Sequence, residues 1–440
     1  MSRVIAGRAL WRGRLEPIEI GIDDDGVIAA IAKDLRGAPR RDYGEKVLLP
    51  SFTDLHVHFR EPGPPDAAED VAHGTVQAAL GGVGLVGDMP NTEPPTDRVD
   101  RLNERIARAA GRLAVDLVVY ATPTRLAEVP RLGRLAGSFK LYLGPTTGLD
   151  TPVEPEMIPA VLAAVASTEL PLVVHAEDPG QFVPGPPPTS TAAWDAARPV
   201  AAELAGIDRV DPAPPSLRLH IAHVTSPTTV ERLRNRGVSF EATPHHLLAS
   251  TDRCRTGRWK VNPPIRSEAE RAQLWEAFAA GAIPILASDH APHPLTAKDG
   301  PFALAPSGVP GVETMVPLLL QTVKDGRLPL SVLQSAGADR PARWLGRPHG
   351  RLAVGHLANL LVVDFRAVVR LAADRLHAPC GWTPYEGWPA IFPSEHYHRG
   401  TLIVSGGEFL GERHGSVVRP SYREEPPTNE APEPAGALRR

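Results

Sequence analysis

The chain has 440 residues, with 47 lysine and arginine residues against 51 aspartate and glutamate residues and a net charge of −4. This length is enough for one α/β barrel and a smaller second domain, so we expect two domains. No block of like charge is present. The balance of charge therefore argues against nucleic acid or an acidic membrane as a partner and favours a small-molecule substrate.

The two cysteines, Cys254 and Cys380, are far apart in the sequence. This spacing fits neither a disulfide framework nor a metal site, and it indicates a reducing compartment. The first ten residues lack a signal-peptide core, and no run approaches the roughly 18 apolar residues of a membrane span. We therefore expect a cytoplasmic protein.

Short apolar stretches separated by Gly and Asp turns open the chain and predict the β strands of a small sheet. They cover residues 4–7, 18–22 and 27–31.

The chain then alternates between strand and helix patterns, which is typical of a (β/α)8 TIM-type barrel. We predict this barrel for residues 49–345. The eight predicted strands are residues 47–52, 84–88, 115–121, 138–143, 172–175, 217–223, 238–243 and 283–288. The predicted helices are residues 67–80, 98–110, 156–166, 228–236, 268–279, 313–323 and 330–336. Residues 180–215 are rich in Pro and Ala and predict a loop with one short helix at 191–204.

After the barrel, residues 350–363 and 400–409 return to β character. We expect them to join the N-terminal strands in one small β-sandwich-like domain, formed by residues 1–48 and 346–419. The Pro- and Glu-rich end, residues 420–440, is predicted to be disordered.

Polar side chains follow the predicted barrel strands at their carboxyl ends, where barrels of this type carry their active sites. They are His56, His58, Arg60, Asn91, Lys140, His175, Glu177, His223, His245, His246, Asp289, His290 and His293. Core histidines without a catalytic role would be scattered over both ends of a barrel. Their gathering at one end therefore predicts an active site.

Residues two apart on a strand point to the same side, so His56 and His58 can reach one metal ion. Four histidines, one lysine and one aspartate from five different strands suit two zinc-like ions better than one. An ammonium group cannot bind a metal, so Lys140 is modified, deprotonated or uninvolved. Carboxylation by CO2 would turn it into a bridging carbamate, and the alternative is a surface lysine that extends towards solvent.

Seven motifs of the chain, in order from about residue 4 to about residue 409, resemble dihydroorotases of the amidohydrolase superfamily. They are Asp-Leu-His-Val-His-Phe-Arg-Glu-Pro-Gly at 54–63, Met-Pro-Asn-Thr at 89–92, Lys-Leu-Tyr-Leu at 140–143, Thr-Pro-His-His-Leu at 243–247, Val-Asn-Pro-Pro-Ile-Arg at 261–266, Ser-Asp-His-Ala-Pro-His at 288–293 and Gly-Val-Pro-Gly-Val-Glu-Thr at 308–314. Members of this family reversibly convert N-carbamoyl-L-aspartate to L-dihydroorotate, a step of pyrimidine biosynthesis, on a barrel with two zinc ions. Many bacterial members have an aspartate at the bridging position, whereas Lys140 resembles the form in animal multifunctional proteins and in hydantoinases.

The resemblance implies a role for each matching residue. His56, His58 and Asp289 would hold one zinc ion, His175 and His223 the second, and Lys140 as a carbamate would bridge them. Asp289 would also be the general base and then the general acid. The residues implied in substrate binding are Arg60, Asn91 and His293 for the carboxylate, Asn262 for the pyrimidine edge, and the backbone around Pro310 and Gly311 for the ring face.

Two other functions are compatible with parts of this pattern. Allantoinases and hydantoinases share the metals and the lysine bridge, but Arg60, Asn91 and Asn262 favour a ring that carries a carboxylate. Some homologues serve only as scaffolds for aspartate carbamoyltransferase, but these have lost metal ligands that this chain keeps. We also expect a homo-oligomer and allow for a complex with that transferase.

Residues 294–308 contain small residues without a helical or strand period. They predict a mobile lid that orders on substrate binding and excludes water.

Overall fold

Eight parallel strands form the central barrel of the computed structural model, which describes residues 1–11, 13–63, 68–146 and 153–419. The barrel strands are β5 (Phe52–Val57), β6 (Val83–Asp88), β7 (Asp116–Ala121), β8 (Ser138–Tyr142), β9 (Leu172–His175), β10 (Leu219–Ile221), β11 (Ser239–Ala242) and β12 (Ile285–Leu286). Each pairs with its neighbours in sequence order. The predicted barrel is therefore confirmed, while the segment predicted to be disordered, 420–440, lies outside the described residues.

The barrel closes through the backbone just beyond its first and last strands. The amide of His58 donates to the carbonyl of His290 at 2.7 Å, and Val57 and His290 form a parallel bridge. Two segments that carry predicted site residues are thus hydrogen-bonded directly to each other.

The first barrel strand begins later than the sequence predicted. Residues 47–50 belong to a different strand, β4 (Arg40–Pro50), which pairs with a C-terminal strand at Leu360–Val363. The barrel strand β5 starts at Phe52, where the amide donates to the carbonyl of Gly82. The apolar run looked like one strand because the last four residues of β4 and the first residue of β5 are all buried.

The strands β10 and β12 are shorter than predicted. Strand β10 ends at Ile221, so His223 lies beyond it, in a left-handed conformation with φ of 39°. Asp289 lies beyond β12 with φ of 47°. Left-handed backbone is rare for residues other than glycine and is found at functional sites.

Helices follow the barrel strands and cover the outside of the barrel. They are α1 (Val71–Gly81), α2 (Val99–Ala109), α3 (Val129–Leu132), α4 (Ile158–Ala166), α5 (Thr191–Ala197), α6 (Val200–Arg209), α7 (Pro227–Arg234), α8 (Pro244–Leu248), α9 (Glu268–Ala279), α10 (Leu295–Lys298), α11 (Met315–Lys324), α12 (Leu330–Gln334) and α13 (Arg340–Trp344). The caps explain their bounds: α1 begins after Asp70, whose side chain accepts from the amide of His73, and ends at Gly82 with φ of 89°.

The helices differ from the prediction in several places, and the short helices α3 and α13 were not predicted. The single helix predicted at 191–204 is two helices, because Pro199 has no amide hydrogen and separates α5 from α6. Helix α8 carries His245 and His246 and was not predicted. Helix α10 lies inside the predicted lid, so the expectation that residues 294–308 have no helix is wrong.

The two chain ends build one eight-stranded sheet. Its strands are β1 (Arg3–Trp11), β2 (Arg14–Ile22), β3 (Ile28–Ala32), β4, β13 (Leu360–Val363), β16 (Glu395–His398), β17 (Thr401–Ser405) and β18 (Glu408–Phe409). They lie side by side in the order β18, β17, β16, β13, β4, β1, β2, β3, and a separate two-stranded ladder joins β14 (Val369–Arg370) to β15 (Pro389–Ala390). This confirms the prediction that both ends share a sheet. Of the predicted strand at 350–363, only the last four residues form one.

A second cluster of histidines lies at the amino end of the barrel, apart from the histidines that the sequence placed at the carboxyl ends of the strands. His349 and His398 contact Asp116, the first residue of β7.

No described helix is long and apolar enough to cross a membrane.

Candidate active site

A pocket at the carboxyl end of the barrel brings together nine of the twelve predicted site residues. They are His56, His58, Arg60, Asn91, Lys140, His175, His223, Asn262 and Asp289. The strands position them: His56 is in β5, Lys140 in β8 and His175 at the end of β9. Since parallel strands end at one rim, residues far apart in sequence meet there.

Ligand-type atoms of several pocket residues converge on one another. The Nε2 atoms of His56 and His58 each lie 3.2 Å from Oδ1 of Asp289. The Nδ1 of His175 lies 3.0 Å from Nε2 of His223. One nitrogen each of His56 and His223 and one oxygen of Asp289 lie within 4.8 Å of one another.

The opposite ring nitrogens of three of these histidines have partners that fix the ring orientation. The Nδ1 of His56 lies 2.6 Å from Glu241, and the Nδ1 of His58 lies 2.6 Å from Oδ1 of Asn91. The Nε2 of His175 lies 2.9 Å from Glu177. Carboxylate or carbonyl acceptors on the far nitrogen are typical of histidines that bind metals, because they select the tautomer with a free lone pair. The residues present therefore fit a metal centre.

The two carboxylates behind these rings are themselves held by cations or rings. Glu177 accepts from the Nη2 of Arg198 at 2.6 Å, and Arg198 and His175 hold the pKa of Glu177 at about 2 although burial alone would raise it. Glu241 contacts His220 at 3.0 Å, and its pKa is lowered against the effect of burial by His56 and His220. Both stay charged in the buried site.

The imidazoles stay neutral because the site is buried. Burial, followed by the charge of Lys140, lowers the pKa of His56 to about 4. Burial also places the pKa values of His58 and His223 well below the ordinary value and lowers that of His175. Neutral imidazole is the form that binds a metal.

Lys140 is fully buried, with its Nζ 3.5 Å from Nε2 of His56. A surface lysine is therefore excluded. Burial lowers the pKa of Lys140 to about 8, against opposing effects of Glu241 and Asp289. A lysine whose amine is partly neutral near physiological pH is suited to react with CO2.

Arg60 brings unpartnered hydrogen-bond donors to the pocket. Its backbone is left-handed, with φ of 59°, and its Nε and Nη1 are buried without a hydrogen-bond partner among the described residues. A buried donor without an acceptor is costly, so such a group indicates a ligand that supplies one. A carboxylate can accept from two guanidinium nitrogens at once.

The other predicted substrate residues have partners of their own. Asn91 is held by His58, and Oδ1 of Asn262 accepts from Trp194 at 3.1 Å and from Ser307 at 3.0 Å. The Nε2 of His293 donates to the carbonyl of Ser307 at 2.9 Å.

His293, Pro310 and Gly311 do not line the pocket. Burial, helped by the charges of Arg60 and Lys298, lowers the pKa of His293 to about 3, so its ring is neutral. The amide of Gly311 donates to Nδ1 of His290 at 3.0 Å. In this segment the wall of the pocket is formed by Ser307 and Gly308 instead.

Sequence reasoning missed or left without a role four further residues of the site. These are Glu177, Glu241, Tyr142 and Ser307. Glu241 carried a signal, since a charged residue in a buried strand needs a buried partner. Tyr142 lines the pocket, and its buried hydroxyl has no hydrogen-bond partner in the described part of the chain. Its place in the Lys-Leu-Tyr-Leu motif at 140–143 was a signal, but no role was assigned to it.

Comparison with known proteins gives one family. Residues 45–128 match the family model described as Dihydro-orotase-like. The chain is 36% identical over 413 residues to the dihydroorotase of Halobacterium salinarum, a match that covers 92% of this chain and 97% of that protein. It is 34% identical over 429 residues to the dihydroorotase of Thermoplasma volcanium, covering 96% of this chain and 99% of that protein.

Solved structures with the same fold are cyclic amide hydrolases by name. An L-hydantoinase (dihydropyrimidinase) from Arthrobacter aurescens has a TM-score of 0.87 at 28% identity and covers 95% of this chain and 99% of its own. A dihydropyrimidinase from Brevibacillus agri has a TM-score of 0.85 at 22% identity and covers 97% of this chain and 100% of its own, which is a likeness of fold alone.

Proposed function

Since the chain belongs to the dihydroorotase family, we propose that it catalyses the reversible cyclisation of N-carbamoyl-L-aspartate to L-dihydroorotate in pyrimidine biosynthesis. The observation that carries this proposal is the position of Arg60. Its unpartnered guanidinium nitrogens lie in the same pocket as the histidines and Asp289 that fit a metal centre. A cyclic amide with a carboxylate substituent suits this pocket, because its carboxylate can bind Arg60 while its amide lies at the metal centre.

We propose two zinc ions as the cofactor. His56, His58 and Asp289 would hold one ion, and His175 and His223 the other. Lys140, carboxylated by CO2, would bridge them. When bound, such ions lower the pKa of water and polarise the amide carbonyl. The close approach of the ligand atoms and the neutral state of the histidines support this assignment.

Asp289 would move the proton of the reaction. Its Oδ1 lies at the centre of the ligand atoms, where it can accept a proton from the attacking water and return it to the departing ring nitrogen. The same carboxylate thus acts as general base in the first step and as general acid in the second.

Arg60 would orient the substrate. Two parallel hydrogen bonds from its planar guanidinium to the ring carboxylate fix the ring without touching the bond that breaks. Asn91, Asn262 and His293 stay predicted substrate contacts, as do the backbone groups at Pro310 and Gly311.

An allantoinase or hydantoinase activity is the second candidate, and the likeness to the Arthrobacter aurescens hydantoinase favours it. The rings in those names carry no carboxylate, and an enzyme that acts on them needs no arginine to bind one. The scaffold-only alternative is disfavoured because all six predicted metal-binding residues line the same pocket. A homo-oligomer, a complex with aspartate carbamoyltransferase and a cytoplasmic location stay predictions.

An assay with dihydroorotate, allantoin and hydantoin side by side tests the proposal, with metal content measured on the same purified sample. We expect kcat/KM for dihydroorotate to exceed the other two by roughly a hundredfold, because a site built to pair a charged group rejects rings without it. Chelation should abolish the activity and zinc should restore it. Preferential turnover of allantoin or hydantoin would assign the chain to the second candidate function.

A further inference from the structure

One wall of the pocket is held by two buried lysines that have no assigned role. Ser307 and Gly308 form this wall. They end a segment that begins after helix α10 and has little regular structure of its own. Something other than secondary structure must therefore determine where the wall lies.

Lys298, the last residue of α10, anchors the end of this segment. It is 1% exposed, and its Nζ donates to the carbonyls of Pro306 at 2.8 Å, Gly308 at 2.9 Å and Lys260 at 3.1 Å. An ammonium group has three donors, so all three are used. The ring of Trp382 adds a cation–π contact at 5.7 Å.

Lys260 anchors the middle of the same segment. Its Nζ donates to the carbonyls of Phe302 at 3.1 Å and Ala303 at 3.0 Å, and it lies 4.7 Å from the ring of Trp194. The amide of Gly308 in turn donates to the carbonyl of Lys260 at 2.9 Å. The two lysines therefore form one connected clamp on residues 302–308.

The clamp reaches side chains that we place at the substrate. The hydroxyl of Ser307 donates to Asn262, and the carbonyl of Ser307 accepts from His293. A displacement of Ser307 would therefore lengthen or break both hydrogen bonds. The backbone at Gly308, with φ of 135°, has no spare room, because a Cβ there would lie 2.5 Å from the carbonyl oxygen of Ala291.

The use of lysine here is informative because the chain has only six lysines among 47 basic residues. Three carbonyls around one point require a compact group with three donors that can point in three directions. A guanidinium has its donors in one plane and would not fit. Of the six lysines, Lys140, Lys260 and Lys298 are buried. Lys140 lines the pocket, and the other two bind the segment that forms its wall.

In place of the mobile lid that the sequence predicted, we propose that Lys298, assisted by Lys260, is a positioning residue that holds the wall at Ser307 and Gly308 in its substrate-binding place. This inference rests on the proposed function for the identity of the substrate. The hydrogen-exchange measurement that tests it does not depend on that function. Loss of the clamp leaves the metal-binding residues in place and reduces the fraction of molecules in which the wall is competent to bind. Apparent affinity falls with that fraction.

The test is Lys298→Met, which keeps the length of the side chain and removes its three donors. We expect KM for dihydroorotate to rise about tenfold or more while kcat stays within about threefold and metal content is unchanged. Hydrogen exchange of the amides of residues 299–308 should become faster in the variant. In the wild-type enzyme their protection should be the same with and without dihydroorotate.

Lys324→Met is the matched control, since Lys324 is exposed at the end of α11. It should change neither KM nor exchange. A role in folding alone would lower the active fraction, and so kcat, at unchanged KM, and that result would overturn the proposal. So would unchanged exchange of residues 299–308 in Lys298→Met.

Lys260→Met provides an independent measurement if Lys298→Met fails to fold. It should speed exchange around Phe302 and Ala303 and raise KM by a smaller factor, and unchanged exchange there would count against the clamp. If the wild-type enzyme does not turn over dihydroorotate, the proposed function fails, whereas the exchange measurements still decide the clamp.

Discussion

Each end of the barrel holds an aspartate surrounded by buried histidines, and the two clusters differ in how the aspartate is held. At the amino end, Asp116 accepts from Arg399 at 2.8 Å, from Nε2 of His349 at 3.0 Å and from the amide of Ser416 at 3.0 Å. Although burial alone would raise it, His349 and His398 hold the pKa of Asp116 well below its usual range. This carboxylate is charged and fully used.

At the carboxyl end, side chains that could bind a ligand converge on one another. Two ring nitrogens approach the same oxygen of Asp289, and the guanidinium of Arg60 keeps buried donors without a partner among the described residues. A histidine cluster by itself therefore does not mark an active site, and neither do unpaired ring nitrogens, because His349 and His398 also have buried nitrogens without a partner among the described residues. What marks the carboxyl end is that its ligand-type atoms and the unpaired donors of Arg60 line one pocket.

The largest expected effect that tests this difference is at Lys140. Lys140→Ala should lose metal and about a thousandfold or more of kcat/KM, because it removes the anionic carbamate that would bridge the two ions. An unmodified ammonium could not serve in its place, since it would repel each dication by about 8 kcal/mol at roughly 4 Å and an effective dielectric of about 20. Short carboxylic acids should restore part of both by occupying the bridge. Metal analysis and steady-state kinetics measure it, with Lys324→Ala as the control. An unmodified Lys140 in the intact mass of a fully metallated, active enzyme would refute the carbamate.

At the other end, Asp116→Asn should act on stability alone. Removing the buried charge of Asp116 leaves the partly exposed Arg399 and the buried His349 without their charged acceptor and should lower the free energy of unfolding by about 3 kcal/mol. The kcat/KM and metal content of the folded fraction should not change. Denaturant unfolding beside the assay measures both. Asp364→Asn, which breaks an ion pair with the exposed Arg366, is the control and should have little effect. A variant with normal stability and impaired kcat/KM would contradict the division between the two ends.

Arg60→Met should reduce kcat/KM for dihydroorotate by a factor that corresponds to about 1.5–3 kcal/mol, the usual worth of hydrogen bonds to a charged group. Thermal stability and metal content should stay at their wild-type values. Arg60→Lys should be intermediate, because it keeps the charge and loses the two parallel hydrogen bonds. Wild-type kcat/KM in Arg60→Met would show that the carboxylate lies elsewhere.

The smallest effect concerns pH and His396 at the amino end. Burial lowers the pKa of His396 to about 3, whereas the unfolded chain has the ordinary value of about 6.5. The unfolded state therefore binds more protons between these values, so stability is complete above the unfolded pKa and falls as pH drops below it. From pH 7.5 to 5.5 this one group should remove about 1.4 kcal/mol.

His396→Asn tests this prediction, because its amide can still donate to the carbonyl of Ala79, which His396 contacts at 2.8 Å. We expect a shallower decrease of unfolding free energy between these two pH values, measured in urea. An unchanged pH dependence would mean that other groups carry it.

Most of the barrel was predictable because its signals are local. Runs of apolar residues between segments of helical periodicity identified all eight strands approximately. Polar residues at the ends of these strands indicated the rim of the barrel. The bounds were less predictable. The run at 47–52 contains parts of two strands, and only pairing with Leu360–Val363 assigns the first part to the other sheet.

The sequence by itself determined which residues are candidate ligands, since His56, His58 and Lys140 stand in recognisable motifs. Only the tertiary structure decided which buried groups are satisfied. Glu241 orients His56 across 185 positions of the chain, and Arg399 satisfies Asp116 across 283. Lys298 holds a wall whose position depends on Lys260, 38 positions before it. The physical reason is that hydrogen bonds depend on side-chain direction and strand register, and no local period of the sequence encodes a partner so far away.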